Sequence, residues 1–435
     1  MDLPLVGLIG VIVMLLFMFA GLPTSFSLLL SGMLMIGHIR GAKVAFDVVG
    51  TEMFATSADY IWSVVCFFIL MGFLCLYARL GEDIYITFYK WFGHLRGGLA
   101  YASIFASTAM AGIVGDMLSV ASTMGTIAYP QMKKYGYKDI LSIGTIAAGS
   151  TIGPLIPPSM GFIIYGVLTG QSIGMLFIAG IIPGLVLAGA FTLNIAIRCA
   201  IDPKLGPAGP KSPWKERIIS LKYGGPIVIL FLLIIGGIYA GIFTAIEGGA
   251  MGCVGALAIG LIMRRFTRHS FFNSLIEAGK LIGMIFLIII GATVFSRFVA
   301  WCNLSGFLLN SVTSLALDPK VLAAAILAFY FFIGFAVDIL PLMLIMVPIF
   351  HPVVTSMGID PTWFTVMSVI SIQAGEITPP LSTMLFALKG IIPGSNINTI
   401  FNAAWFFVIS TALCIIILFI FPPLVTWLPG LLYGK

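Results

Sequence analysis

Two short patterns carry the chemistry available to this chain, and each occurs twice. The first sets a glycine four residues before an aspartate, in Gly112-Ile-Val-Gly-Asp116 and again in Gly334-Phe-Ala-Val-Asp338. The second is Gly-x-x-x-Pro-Pro, at Gly153–Pro158 and Gly375–Pro380. All four lie inside long apolar stretches. A Gly-Asp element at the tip of a membrane-inserted hairpin leaves backbone carbonyls and a carboxylate unpaired. Such a carboxylate costs about 3 kcal/mol unless a cation or hydrogen bonds compensate it. Asp116 and Asp338 are therefore candidate ligands for Na+ or H+; the alternative is a carboxylate that caps a helix N-terminus with no ion. A double proline removes two amide donors and frees carbonyls of the preceding turn. The carbonyls of Ser150, Gly153 and Ile156, and of Gly375 and Thr378, can complete an all-oxygen site for a hard cation. The helical half after each Pro-Pro directs its positive end at the same cavity, which suits an anionic group. A plain proline kink is the alternative reading of one break. It accounts poorly for two matched breaks beside two matched tips.

The elements that must hold these motifs are membrane helices. Of the 435 residues 60% are hydrophobic and 9% charged, and the mean hydropathy is +1.13. A soluble domain carries about 25% charged residues, so soluble, disordered and disulfide-framework classes are excluded. Runs long enough to cross a bilayer cover 3–20, 23–37, 61–79, 140–170, 173–197, 225–242, 245–263, 281–300, 361–391 and 398–422. Two more stretches, 98–132 and 321–353, are broken in the middle by Gly and Asp and suit hairpins that enter the membrane and return. Segments 81–96 and 266–280 are aromatic and charged, and read as interfacial helices. The first run has no basic segment before it and reads as a retained span.

The repeat has a single offset. A shift of 222 carries Gly112 onto Gly334, Asp116 onto Asp338, Pro130 onto Pro352, Gly136 onto Gly358, and Gly153, Pro157 and Pro158 onto Gly375, Pro379 and Pro380. The division is a first repeat over 1–197, a basic linker over 198–222 and a second repeat over 223–435. By the positive-inside rule the linker is cytoplasmic and both termini are periplasmic. That layout leaves seventeen of the 22 Lys and Arg on the cytoplasmic side. The net charge of +6 and pI near 9.0 follow from this bias and do not point to nucleic acid. An odd number of crossings separates the copies, so one is upside down relative to the other, as in inverted-repeat secondary transporters. The first hairpin then enters from the cytoplasm and the second from outside, the arrangement two opposed gates need.

Other residues are less decisive. Arg297 sits in the last third of a span; it can receive a substrate carboxylate through a bidentate fork, snorkel to the interface, or pair with Glu376 or Glu247. Glu247 and Glu376 read as carboxylates at membrane depth. Ser150 and Thr151, at the entry to the first break, join Arg297 and Glu376 as candidate substrate contacts. Ser107, Thr108, Ser119, Ser122 and Thr123 place hydroxyls along the first hairpin, as packing groups or as ligands. The four histidines fall at predicted membrane edges, and the six cysteines form no metal or redox pattern. No phosphate-binding glycine loop and no hydrolase motif is present.

These motifs resemble the large membrane subunit of tripartite ATP-independent periplasmic (TRAP) transporters. The likeness runs through AAGSTIGPLIPPSMGFIIYG (147–166), GIFTAIEGGAMG (241–252), LIIIGATVFSRFVA (287–300), GFAVDILPLMLIMVPIFHPV (334–353) and GEITPPLSTMLFALKGI (375–391). It implies an elevator-type importer of organic acids such as C4-dicarboxylates or sialic acids, driven by Na+. It also implies two partners, a small four-helix membrane subunit and a periplasmic substrate-binding protein. A stand-alone ion-coupled carrier or antiporter of related fold is the alternative. One implied Na+ site matches Gly115, Asp116, Ser119, Gly153, Ile156 and Pro158; the other matches Gly334, Asp338, Gly375 and Thr378. The chain departs from the family pattern at the first tip, where the carboxylate is displaced by one helical turn. It departs again at Glu376, where the family has an apolar residue.

Overall fold

The computed structural model describes residues 3–115, 117–314, 318–392 and 394–434; the predicted site residue Asp116 lies outside the described residues. The described chain is helical, with no strand. The first half holds α1 (Leu3–Phe19), α2 (Thr24–Arg40), α3 (Ala42–Ala58), α4 (Ser63–Tyr77), α5 (Leu80–Phe92), α6 (Gly98–Val114), α7 (Met117–Lys134), α8 (Asp139–Ser150), α9 (Met160–Thr169) and α10 (Ile173–Ile201). The second holds α11 (Trp214–Tyr239), α12 (Ala245–Ile262), α13 (Arg268–Trp301), α14 (Leu304–Ser314), α15 (Pro319–Ile333), α16 (Ile339–Ser356), α17 (Pro361–Glu376), α18 (Thr383–Ile391), α19 (Ile397–Ile420) and α20 (Pro423–Tyr433).

Seven of the described helices are long and apolar enough to cross a membrane alone, against ten crossings read from the sequence. The difference has three sources. The apolar helix α1 and the more polar α2 have 17 residues each, one short of that length. The runs 140–170 and 361–391 are divided by their Pro-Pro breaks into α8–α9 and α17–α18, so neither piece spans by itself. Conversely α16 is long enough to span, yet it is one arm of the second hairpin. Two local expectations change as well. The segment 266–280 is no separate interfacial helix: it continues into α13, whose 34 residues extend about 51 Å. The irregular part of the basic linker shrinks to 202–213, because α10 and α11 run into it.

Helix ends are fixed by local chemistry. Ser159, Ser172, Asp360 and Ser382 each accept a hydrogen bond from an amide of the first turn of the helix they precede. Glu247 is explained the same way: Thr244 and Glu247 form a reciprocal capping box at the start of α12, so this carboxylate, read from sequence as membrane-embedded, serves an exposed helix end.

Two bundles result. In one, α2 packs on α1, α3 and α13, and α4 packs on α12 and α13, with α5 against α11. Arg265, just beyond α12, holds both Asp83 oxygens of α5 at 3.0 and 3.1 Å. Burial pushes the Asp83 carboxyl up, and Arg265 opposes that shift. The other bundle gathers α6 to α10 and α15 to α20. Here α7 packs on α18 while α16 packs on α9, and α8 packs on α19 while α10 packs on α17. Each hairpin thus embraces the post-break helix of the opposite copy, the reciprocal pattern a twofold relation produces.

Candidate transport site

The second tip and second break meet through side chains. Asp338 occupies the N-cap position of α16, but its side chain makes no capping hydrogen bond. It accepts instead from the Thr383 hydroxyl at 3.0 Å, in the first turn of α18. The first-turn amide of α16 is satisfied by Glu376, which is 2% exposed: the Ile339 N–H donates to Glu376 Oε1 at 2.5 Å. Ser382 then donates to the Glu376 backbone carbonyl and accepts from Leu385 N–H. Glu376 therefore ties the break to the tip.

Backbone approach does the rest. A Cβ at Gly334 would stand 2.6 Å from the Ile372 carbonyl oxygen, and one at Gly375 would overlap the Phe331 carbonyl oxygen. The first tip uses the same device. Gly115 ends α6 with φ +64°, and an added Cβ there would lie 2.8 Å from the Pro158 carbonyl oxygen. Each tip is thereby seated on carbonyl-rich backbone of its own copy's break. Thr378 is buried and bonds back to Ala374, while Ser150 and Thr151 bond back to Ala147 and Ala148 at 2.7 Å. Oxygen donors dominate, which fits a hard cation better than a soft metal.

Between the tips lies a cavity of about 600 Å³. Gly115, Met117 and Ser119 line it from the first hairpin, Asp338 and Ile339 from the second, and Pro154, Gly161 and Glu376 from the breaks and α9. The other bundle closes it with Pro23 to Ser25, with Ile69 to Leu76 of α4, and with Glu277 to Ile288 of α13. Of the predicted residues, Gly115, Ser119, Asp338 and Glu376 reach this cavity. Gly153, Ile156, Pro158, Gly334, Gly375 and Thr378 stand behind it, and Ser150 and Thr151 are fully buried. Arg297 is elsewhere: its Nε lies 2.5 Å from Glu52 Oε1, a partner on α3 that sequence reading did not find. No local pattern marks a pair separated by 245 positions.

A family model described as the tripartite ATP-independent periplasmic transporter, DctM component, matches residues 11–424. The chain belongs to that family. Among TRAP relatives, it is 31% identical to the sialic acid TRAP transporter large permease protein SiaM of Vibrio cholerae, over 96% of this chain and 97% of the relative. It is 31% identical to the sialic acid TRAP transporter permease protein SiaT of Haemophilus influenzae, over 98% of this chain and 68% of that longer protein. It is 30% identical to the C4-dicarboxylate TRAP transporter large permease protein DctM of Pseudomonas aeruginosa, over 87% of each. The fold is also that of the YdaH transporter of Alcanivorax borkumensis, with a TM-score of 0.61, 15% identity and 88% of each chain covered. These relatives are permeases rather than enzymes, so the cavity is read as a transport site of a multi-pass membrane subunit.

Proposed function

We propose that this chain is the transport subunit of a Na+-coupled importer in the bacterial inner membrane. It carries an organic acid anion inward, in the class of C4-dicarboxylates and sialic acids. A periplasmic binding protein delivers the anion, and a small four-helix membrane subunit completes the complex. One observation carries the reading: both hairpin tips and the carboxylate of the second break border a single cavity between the two bundles. A cation held at the second tip neutralises Asp338 and the buried Glu376 beside it, and that makes the cavity hospitable to an anion. This is the physical basis of coupling.

The direction of access supports an elevator. Under the positive-inside layout, the liners contributed by the α2–α4–α13 bundle (Pro23, Leu76, Lys280) belong to its cytoplasmic half, so the cavity faces inward in this conformation. Outward access requires the bundle holding the tips to move past the other. The proposal is tested with proteoliposomes that also contain both partners. Asp338→Asn is expected to remove Na+-stimulated uptake of succinate or N-acetylneuraminate, at least tenfold below the parent protein. Undiminished uptake with unchanged Na+ dependence would count against the ligand role.

A further inference from the structure

A second cavity, of about 410 Å³, lies between the α4–α5 turn and α7. Leu76, Leu118 and Ser119 line both cavities, so the two adjoin across these side chains. Its α7 wall presents Ser119, Ser122, Thr123 and Thr126, whose three- and four-residue spacings put them on one helix face. Their hydroxyl protons are not equally available. Thr123 donates to the Ser119 carbonyl at 2.8 Å and Thr126 to the Thr123 carbonyl at 2.9 Å. The exposed Ser122 hydroxyl has no such bond among the described residues and can donate to a ligand.

Arg79 lines the same cavity from the turn that joins α4 to α5. It is exposed, holds a left-handed φ of +57°, and has no carboxylate within 4.0 Å among the described residues. A non-glycine residue costs about 1 kcal/mol in that conformation. Glu82, on α5, is the acidic group that shares the cavity. In the adjoining cavity Lys280 is paired to Glu277 at 2.7 Å, so the guanidinium of Arg79 is the cation left available for an incoming anion.

We propose that this second cavity is a carboxylate station. Arg79 and Ser122 hold the organic acid after it leaves the space between the tips and before it reaches the cytoplasm. Its place on an exit route rests on the transport direction proposed above; its affinity for anions does not. A guanidinium presents two parallel donors to a carboxylate, and the hydroxyl of Ser122 supplies a third from across the cavity. The Thr123 and Thr126 oxygens, with protons already committed, accept from the water that accompanies the anion.

The test needs no knowledge of the natural substrate. In a background without the six native cysteines, Ser122→Cys is labelled in inside-out vesicles with methanethiosulfonates bearing a sulfonate or a trimethylammonium group. Rates are referred to those of a free thiol. The sulfonate reagent is expected to react about thirtyfold faster than the cationic one, because one unit charge at ~4 Å in water favours the first and disfavours the second by about fivefold each. Arg79→Gln should bring the ratio to one or below, since Glu82 remains, Glu82→Gln should raise it, and succinate should slow the anionic reagent only while Arg79 is present. Arg79→Asn, which tolerates the left-handed backbone, guards against a folding artefact. Absence of labelling, or a ratio indifferent to Arg79, would overturn the station. A parent protein that shows no Na+-driven uptake while keeping this labelling pattern would overturn the proposed function instead.

Discussion

At the scale of single residues, the most informative side chain is Glu376, because its position in the motif and its contacts disagree in emphasis. In the sequence it is an acidic residue in an apolar run beside the second Pro-Pro, which draws attention to charge. In the structure its working atom is a hydrogen-bond acceptor that satisfies the first amide of α16. A glutamine retains that acceptor and a leucine does not. Glu376→Leu therefore removes the partner of a part-buried N–H and is expected to lose about 1 kcal/mol, read as a lower thermal midpoint in detergent. Glu376→Gln should stay close to the parent protein. If both variants lose stability equally, the negative charge rather than the hydrogen bond is what the tip requires. The place of Asp338 at a hairpin tip was legible from sequence because aspartate is rare in this chain and here follows Gly334 by four residues inside an apolar stretch. The partnership of Arg297 with Glu52 was not. Long-range pairing depends on how α3 and α13 pack, and α3 itself carries Lys43, Asp47 and Glu52, too many charges to read as a span.

At the scale of elements, the repeat was legible because the residues that break helices are few and specific. The bounds of α7 and α16, 117–134 and 339–356, differ by the same 222 positions as the motifs. The match then slips by one: the N-caps Ser159 and Ser382 are 223 apart, and the second break accommodates the extra residue at Leu381, which is 56% exposed. Continuity of α13 was hidden because charge along 266–280 reads as an interface, whereas a helix can simply run out of the bilayer. The tips test whether close backbone approach matters beyond helix termination. Gly115 and Gly170 both have positive φ, +64° and +69°, but an added methyl at Gly170 meets nothing within 4 Å. Gly170→Ala should cost only the left-handed penalty of about 1 kcal/mol. Gly115→Ala adds a collision with the Pro158 carbonyl oxygen. It should be destabilised further and should lose Na+-dependent uptake, while Gly170→Ala retains it. Equal effects of the two substitutions in a thermal-unfolding and uptake comparison would show that the tip tolerates separation from its break.

At the scale of the whole molecule, the cavity is a seam between two bundles, and the proposed elevator requires the bundles to slide. Their contact is close where Gly72 of α4 meets the end of α6: a Cβ at Gly72 would lie 3.3 Å from the Val114 Cα. Cysteines at those two positions are within the reach of a disulfide, and the bond would pin the first tip to the opposite bundle. A second pair serves as the internal comparison. A Cβ at Gly7 would lie 3.0 Å from Cys302 Cβ, and both positions belong to the α1–α13 side, so Gly7→Cys bonded to the native Cys302 joins parts that keep their relation in a sliding mechanism. Oxidation of Gly72→Cys/Val114→Cys should cut uptake to a small fraction of the reduced protein and reductant should restore it, whereas oxidation of Gly7→Cys should leave most uptake intact. If the first cross-link forms in full and transport continues, the bundles need not pass one another. Access to the cavity would then have to alternate through the hairpins alone, each tip lifting from its break in turn.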